Sequence, residues 1–423
     1  MSCSFIHIIC PVFWEKLPPL GASYILEYMK IKGHRSIIYD LNNKIYQNIT
    51  PEFKKDWTIN KKYIEKDFFD FCFQNFNNYF QELLDIIEKE KIKFIGFTVL
   101  KSNRLFSFYT VQFIKKFFKD IKIIWGGPEV FTINLENFKN LENIDFFVIG
   151  EGERAIIEIV ENNFNNRIFK FYQLDNINFF PKYENLNLSS YPGKRRIPIL
   201  SSRGCINKCL FCSERLLYKN YRIRDPENVF EEIYYHYKNN NIQWFTFYDS
   251  IFNGDLNNID KLMDLILKNK LEIKWDAQIY IKDMDLELMK KMKKSGCINL
   301  FIGFENGSDK ILKLMNKNFT SNDAYCFFYK LNKAQLNFEI SLIINYPEET
   351  EEDFKQTTDF LLNNKNIIRK IAQINTFKNY PGTCVKIPDN YDEKQGQIRV
   401  NKLIRILKRN KIKFTNSYIN NLI

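Results

Sequence analysis

Histidine is scarce in this chain: its 423 residues include three, His7, His34 and His236. None follows a cysteine pair at ligand spacing, which tells against a Cys/His zinc framework. His236 sits in Tyr234-Tyr235-His236-Tyr237, a helix-face pattern. No apolar run approaches the length of a membrane span. The segment from Met1 to Cys10 is apolar but has no basic start and no small-residue cleavage site, so it reads as a first strand rather than a signal peptide. Six of the nine cysteines (Cys3, Cys10, Cys72, Cys297, Cys326 and Cys384) show no paired spacing that would build a disulfide framework, and a reducing cytoplasm is expected. The formal charge is +12, yet Lys and Arg are interleaved with Asp and Glu, so nucleic acid is not the expected partner. The densest basic run, Arg399 to Lys413, reads as the solvated face of a helix.

The length and a hydrophobic content of 45% allow two or three packed domains. The other three cysteines occupy one short stretch, Ser202-Arg203-Gly204-Cys205-Ile206-Asn207-Lys208-Cys209-Leu210-Phe211-Cys212. The spacing is C-x₃-C-x₂-C, directly after the apolar run Ile197 to Leu200. Three thiolates on one loop can hold three irons of a cube-shaped 4Fe-4S cluster, leaving the fourth iron open to bind a cofactor or substrate.

The first region alternates strand and helix: strands at Phe5–Cys10, Arg35–Tyr39, Phe94–Val99, Ile121–Trp125 and Asp145–Ile149, with helices between and a polar, aromatic insertion up to about Asn77. Short apolar strands separated by helices imply a doubly wound, Rossmann-like parallel sheet. Ligands of such sheets bind beyond the carboxyl ends of the strands. Two glycine-bearing turns are expected there, Gly126-Gly127-Pro128-Glu129 and Gly150-Glu151-Gly152-Glu153.

Residues 163–195 read as a linker, broken by Phe179-Phe180-Pro181 and Tyr191-Pro192-Gly193. The alternation then repeats six times, with strands at Pro198–Ser201, Trp244–Tyr248, Lys274–Ile279, Asn299–Phe304, Phe338–Ile344 and Ile371–Thr376. Six βα units close most of a TIM-like barrel, whose functional groups sit at the carboxyl ends of its strands. The cysteine loop, Asp249, Gln278, Glu305 and the turn Asn345 to Thr350 all fall there. The expected organisation is an α/β chain: a sheet domain over 1–162, the linker, a partial (β/α)₆ barrel over 196–386, and a short helical extension over 387–423.

The cysteine spacing at the head of such a barrel resembles the radical S-adenosylmethionine superfamily. Further segments are similar to its motifs: Phe247 to Phe252 to the second-strand motif, Gly303-Phe304-Glu305-Asn306-Gly307-Ser308 to the fourth-strand motif, and Pro381-Gly382 to the sixth-strand exit. Pro18-Pro19-Leu20-Gly21 and the two glycine turns resemble the cobalamin-binding domain of one branch of the superfamily, that of the class B radical methyltransferases. Two departures stand out. The Asp-x-His-x-x-Gly motif that supplies a histidine to cobalt in other cobalamin proteins is absent. The fifth-strand turn, usually Gly-x-Pro-Gly-Glu-Thr, reads Asn345-Tyr346-Pro347-Glu348-Glu349-Thr350 and has lost both glycines.

The resemblance implies that Cys205, Cys209 and Cys212 hold a 4Fe-4S cluster and that Phe211, Asp249 and Glu305 contact S-adenosylmethionine. It implies that Gly21, Gly126, Gly127, Gly150, Gly152 and Glu153 contact cobalamin. The implied activity is reductive cleavage of S-adenosylmethionine to a 5′-deoxyadenosyl radical, which takes hydrogen from an unactivated carbon for methylation by methylcobalamin. Radical rearrangement or cyclisation without net methylation is the alternative within the class; a non-catalytic iron–sulfur sensor or scaffold is the alternative outside it. A methylthiotransferase would need a second cluster on N-terminal cysteines, and Cys3, Cys10 and Cys72 lack its context. The implied partners are a small-molecule or peptide substrate and an external electron donor such as flavodoxin or ferredoxin, with no membrane.

Overall fold

The computed structural model describes residues 4–58, 60–132, 141–161, 166–170 and 173–415. Cys3, residues 163–165 and 171–172 of the expected linker, and residues 416–423 of the expected C-terminal extension lie outside them. The chain forms two compact units, residues 1–197 and 198–420.

The first unit is a sheet with strand order β2-β1-β3-β4-β5-β6, all neighbours parallel. Its elements run β1 (Ser4–Ile9), α1 (Leu20–Ile31), β2 (Arg35–Asp40), α2 (Leu41–Asn48), α3 (Pro51–Lys55), α4 (Lys66–Asn75), α5 (Asn77–Lys89) and β3 (Phe94–Thr98). There follow α6 (Arg104–Phe117), β4 (Lys122–Gly126), α7 (Pro128–Thr132), β5 (Phe146–Ile149), α8 (Glu153–Val160) and β6 (Ile168–Lys170). The inner strands β1, β3, β4 and β5 are buried on both faces, which is why they read as continuous apolar runs. Ile6, Ile8, Phe97 and Trp125 point to one core with α2, α4, α5 and α6. Phe5, Phe94, Ile124 and Val148 point to the other, against α1 and α8.

Two segments of low regularity are built into the first unit. The aromatic insertion is helical and fills a sheet face: Phe53 stacks on Phe71 with centroids 4.8 Å apart, and Phe69 meets Phe106 of α6 at 5.0 Å. The expected linker is largely part of the first unit. It supplies β6, and Gly193 N–H donates to the Lys16 carbonyl at 2.9 Å. The Tyr191 hydroxyl donates to Asp40 at the end of β2 at 2.6 Å. Aromatic pairing and buried hydrogen bonds override the low regularity of these sequences.

The second unit has strand order β15-β14-β13-β12-β11-β10-β7. It opens with β7 (Arg196–Ile199), β8 (Ser202–Arg203), α9 (Glu214–Leu217), β9 (Arg222–Ile223), α10 (Pro226–Asn239), β10 (Trp244–Phe247) and α11 (Leu256–Lys268). It continues through β11 (Lys274–Ile279), α12 (Leu286–Lys294), β12 (Cys297–Glu305), α13 (Asp309–Leu314), α14 (Ser321–Lys333) and β13 (Phe338–Ile344). It closes with α15 (Glu351–Asn363), β14 (Lys370–Thr376), α16 (Glu393–Arg409) and β15 (Lys413–Phe414). The six expected strands are β7 and β10 to β14, neighbours in chain order as a partial barrel requires. The C-terminal extension is no appendage. Lys413 and Phe414 pair with Lys370 and Ile371, and α16 buries Val400, Leu403 and Leu407. Helix starts follow local chemistry: Thr350 and Asp353 form a capping box on α15, and Pro226 opens α10 behind Asp225. Among the described residues no helix is long and apolar enough to cross a membrane.

Candidate iron–sulfur and cofactor site

The cysteine loop leaves the carboxyl end of β7 and is closed at its base by a two-residue antiparallel ladder, Ser202 opposite Ile223 and Arg203 opposite Arg222. Gly204 begins the loop at φ +79°, and a Cβ there would stand 2.7 Å from the Asn220 carbonyl oxygen, so the tight crossing needs glycine. Three further hydrogen bonds pin the loop. Leu210 N–H donates to Met315 O and Cys384 N–H donates to Leu210 O, both at 3.1 Å, and Asn316 Nδ2 donates to Lys208 O at 2.8 Å. The loop is thus held from the ends of α13 and β14, a fixation no local pattern in its own sequence announces.

Cys209 is buried, and Cys205 and Cys212 are half-buried. Burial raises all three thiol pKa values, that of Cys212 to about 12; each thiolate charge would raise the next further. Among the described residues no three Cys, His, Asp or Glu side chains meet as the ligands of a single ion would. Three thiolates that each hold a different iron need not meet on one point.

Asp249, just past β10, turns toward the base of the loop. It accepts from Ser201 N–H at 3.1 Å, Ser201 Oγ at 2.8 Å and Ser202 Oγ at 2.5 Å. Burial pushes its carboxyl up to about 6 against these donors. Beside it, Arg224 donates to the Leu200 carbonyl at 2.6 Å and to Glu232 at 2.5 Å, both side chains being fully buried. Burial raises Glu232 to about 7, and its Oε1 is left without a partner. The expected cofactor contact therefore holds the strand-to-loop junction, together with a buried ion pair that the sequence did not single out.

Glu305 ends β12 at φ +70°, where the register with β13 shifts. Its carboxylate accepts from Ser341 Oγ at 3.0 Å and Lys317 Nζ at 3.2 Å. Lys317 is buried, also donates to the Gly303 carbonyl at 3.0 Å, and lies over the rings of Tyr280, Phe211 and Phe319 at 5.3, 5.5 and 5.8 Å. Phe211 and Glu305, two residues expected at the site, are brought together through this lysine, which sequence reasoning missed because no motif spacing marks it. Gln278, at the end of β11, is exposed and donates to Ser250 O at 3.4 Å.

The altered fifth-strand turn keeps the backbone that glycine would allow. Asn345 and Glu348, at the two lost glycine positions, have φ +63° and +70°. Glu349 accepts from Asn306 Nδ2 at 2.8 Å, and from Asn345 N–H. Arg399 of α16 reaches the turn, donating to Asn345 Oδ1 at 3.1 Å and to the Glu349 carbonyl at 3.0 Å. Tyr346 packs with Ile311, Met315 and Phe377 in a cluster that Phe211 joins.

In the first unit, Gly126 ends β4, and Gly21, Gly127, Gly150, Gly152 and Glu153 lie in the segments that follow β1, β4 and β5. A Cβ on Gly127 would stand 2.7 Å from the Val99 carbonyl oxygen, so packing of the fold explains that glycine; one on Gly152 would stand 2.9 Å from Ile25 Cδ1, the movable end of a side chain. Gly150 adopts φ +96°. Gly21 faces open space, and a Cβ on Gly126 would meet only Val148 in ordinary contact at 3.7 Å, so packing requires glycine at neither. Glu153 is buried as the first residue of α8. Cys10 and Cys72 are core residues, Cys10 beside Thr110 and Cys72 inside α4.

A partial barrel with a three-cysteine loop at the head of its first strand defines a class of cluster-bearing enzymes. Residues 199–361 match the family model of the Radical SAM superfamily. It is 27% identical over 333 residues to an uncharacterised methyltransferase of Pyrococcus horikoshii, covering 72% of this chain and 71% of that one. Among solved structures it resembles the cobalamin-dependent S-adenosylmethionine radical enzyme OxsB (TM-score 0.69, 16% identity, 96% of this chain and 56% of that one). It also resembles the radical S-adenosylmethionine methyltransferase TsrM of Kitasatospora setae (TM-score 0.67, 14% identity, 88% of this chain and 73% of that one). The chain thus spans between about half and three quarters of the length of these two solved chains. At such identities the structural likeness establishes the fold.

Proposed function

We propose that the protein is a cobalamin-dependent radical S-adenosylmethionine enzyme that methylates an unactivated carbon. The observation that carries this reading is the cysteine loop: three thiols on one rigidly braced segment, with the buried Glu305–Lys317 pair beside Phe211 of the same loop. The thiol chemistry fits a cluster. Three neighbouring thiols, one buried and two half-buried, are poor company as thiolates unless iron neutralises them. Cys205, Cys209 and Cys212 would hold it, and Lys317 and Glu305 offer opposite charges suited to the zwitterionic end of S-adenosylmethionine. Phe211 offers its backbone and ring. In the first unit, Gly21 and Gly126, where packing does not require glycine, suit close approach by a large flat ligand such as cobalamin.

When bound, these groups supply an electron-triggered break of a sulfonium carbon–sulfur bond, hydrogen abstraction from carbon, and a methyl group on cobalt. The chain's own residues position and shield. Asp249 and Arg224 fix the start of the loop, Met315 and Cys384 fix its middle, and Tyr280, Phe319 and Phe211 keep water from the lysine. Methyl transfer is favoured over rearrangement by the methyltransferase relative, whose alignment covers 72% of this chain.

The test is anaerobic reconstitution with iron, sulfide and a cobalamin, followed by S-adenosylmethionine and dithionite. Expected are a cluster absorbance, a corrin spectrum that stays with the protein through gel filtration, and 5′-deoxyadenosine. A cluster-loaded protein that forms no 5′-deoxyadenosine overturns the radical reading; loss of the corrin on the column overturns the cobalamin part alone.

A further inference from the structure

Lys317 carries a positive charge into a place where charge is expensive. Its side chain is 4% exposed, its two hydrogen-bond acceptors are Glu305 and the Gly303 carbonyl, and three aromatic rings surround it. Burying an ammonium is unfavourable unless something nearby gains from the charge. Glu305 is one such group, but the pair is not symmetrical toward the cysteine loop. Phe211, one of the three rings, lies between Cys209 and Cys212 in sequence. Lys317 directly follows Met315 and Asn316, which bind the loop: the Met315 carbonyl accepts from Leu210 N–H and Asn316 Nδ2 donates to the Lys208 carbonyl. With its Nζ over the Phe211 ring, the cationic end of the ion pair is the end anchored to the cysteine loop.

We propose that Lys317 sets the reduction potential of the cluster held by Cys205, Cys209 and Cys212, raising it into the range of a protein electron donor. The inference rests on the reading of the loop as a cluster site. Reduction brings one electron from the external donor onto the cluster, with no bond made or broken and no proton moved, so the cluster gains one negative charge. A fixed cation close by stabilises that reduced state more than the oxidised one. The ring cage keeps water away, so the interaction is screened less than at a surface. Charge and hydrogen bonding around the sulfurs are the levers by which a protein tunes such a centre.

The experiment is a redox titration of the reconstituted full-length protein, followed by electron paramagnetic resonance, without S-adenosylmethionine. In Lys317→Met the reduction equilibrium is expected to fall about tenfold, a midpoint about 59 mV more negative for one electron. Lys317→Arg, which keeps the charge, is expected to stay near the wild type. Glu305→Gln, which removes the opposing charge, is expected to move the midpoint the other way. An unchanged midpoint in Lys317→Met overturns the proposal, and so does an equal displacement in Lys317→Arg, which would mark a packing effect. Iron and sulfide per chain are measured alongside. If Lys317→Met loads less cluster than the wild type, Glu305→Gln decides: a more positive midpoint supports the proposal, and an unchanged or more negative one overturns it. A wild-type protein that takes up no cluster overturns the reading of the loop itself, and is thereby distinguished from failure of the tuning role.

Discussion

Arg399 Nη1 donates to Asn345 Oδ1 at 3.1 Å across 54 residues, joining the C-terminal helix to the turn after β13. Asn345 stands at φ +63°, a conformation in which glycine carries no side-chain penalty. The side chain is thus strained locally and useful globally: it meets Arg399, and its Nδ2 donates to the Asp392 carbonyl at 3.0 Å. Arg399→Met is expected to destabilise the protein by about 3 kcal/mol, because it leaves buried Glu349 without its cation. In an Asn345→Gly background the cost of the same substitution is expected to be smaller by about 1 kcal/mol, since one of the contacts is already gone. Urea unfolding of the four proteins measures this; strict additivity would show that the two residues do not work together.

Acid carboxyls buried at both sheets give the stability a distinctive pH dependence. Burial raises Asp40, Asp249 and Glu349 each to about 6 and Glu232 to about 7. In this range the folded state holds protons that the unfolded chain has released. The associated stability is full below the unfolded pKa values and is lost as pH rises through about 6 to 7. Asp353 acts in the opposite sense: burial would raise it, but Lys310 and Thr350 hold it below the usual range, so its contribution is lost as pH falls through its folded-state pKa. Asp249→Asn is expected to flatten the decline between pH 4 and 6 by on the order of 2–3 kcal/mol. Thermal melts of the cluster-free protein across this pH range, compared with the wild type, check the sign; an unchanged slope would mean that Asp249 is not held protonated by the fold.

The cysteines divide into those expected to bind iron and those that are not. Cys209→Ala is expected to abolish retention of iron after reconstitution. Cys326→Ala and Cys384→Ala, at exposed positions, are expected to retain it. Cys384 is the stricter control, because its backbone N–H lies against Leu210 in the loop while its side chain faces outward. Iron and sulfide assays per chain decide the matter.

Glycines required by packing should separate from glycines that leave room for a ligand. Gly127→Ala is expected to cost at least about 1 kcal/mol, since the conformation is left-handed and the new Cβ meets the Val99 backbone. Gly21→Leu and Gly126→Val are expected to leave the unfolding midpoint nearly unchanged and to abolish retention of the corrin. Parallel denaturation and gel-filtration spectra distinguish the two groups.

Much of this protein is legible from local pattern. Apolar runs marked the parallel strands because strands covered on both faces need apolar residues at every position. The cysteine spacing identified the loop, because ligands on one short segment must be close in sequence. The aromatic insertion was harder to read, since its helices are secured by ring contacts such as Phe69–Phe106 that join distant segments. The sixth strand of the first sheet and the barrel role of α16 were missed for the same reason. So were the hydrogen bonds that Ser201 and Ser202 donate to Asp249.

Local chemistry along the chain was enough to specify the two α/β units and the three thiols, because turn glycines, strand apolarity and ligand spacing act over a few residues. Lys317 beside Phe211, Arg399 on Asn345 and Arg224 on the Leu200 carbonyl arise only when the barrel closes. Each depends on a charged group being buried between strands far apart in sequence, and burial is set by the packed fold rather than by any residue's neighbours along the chain.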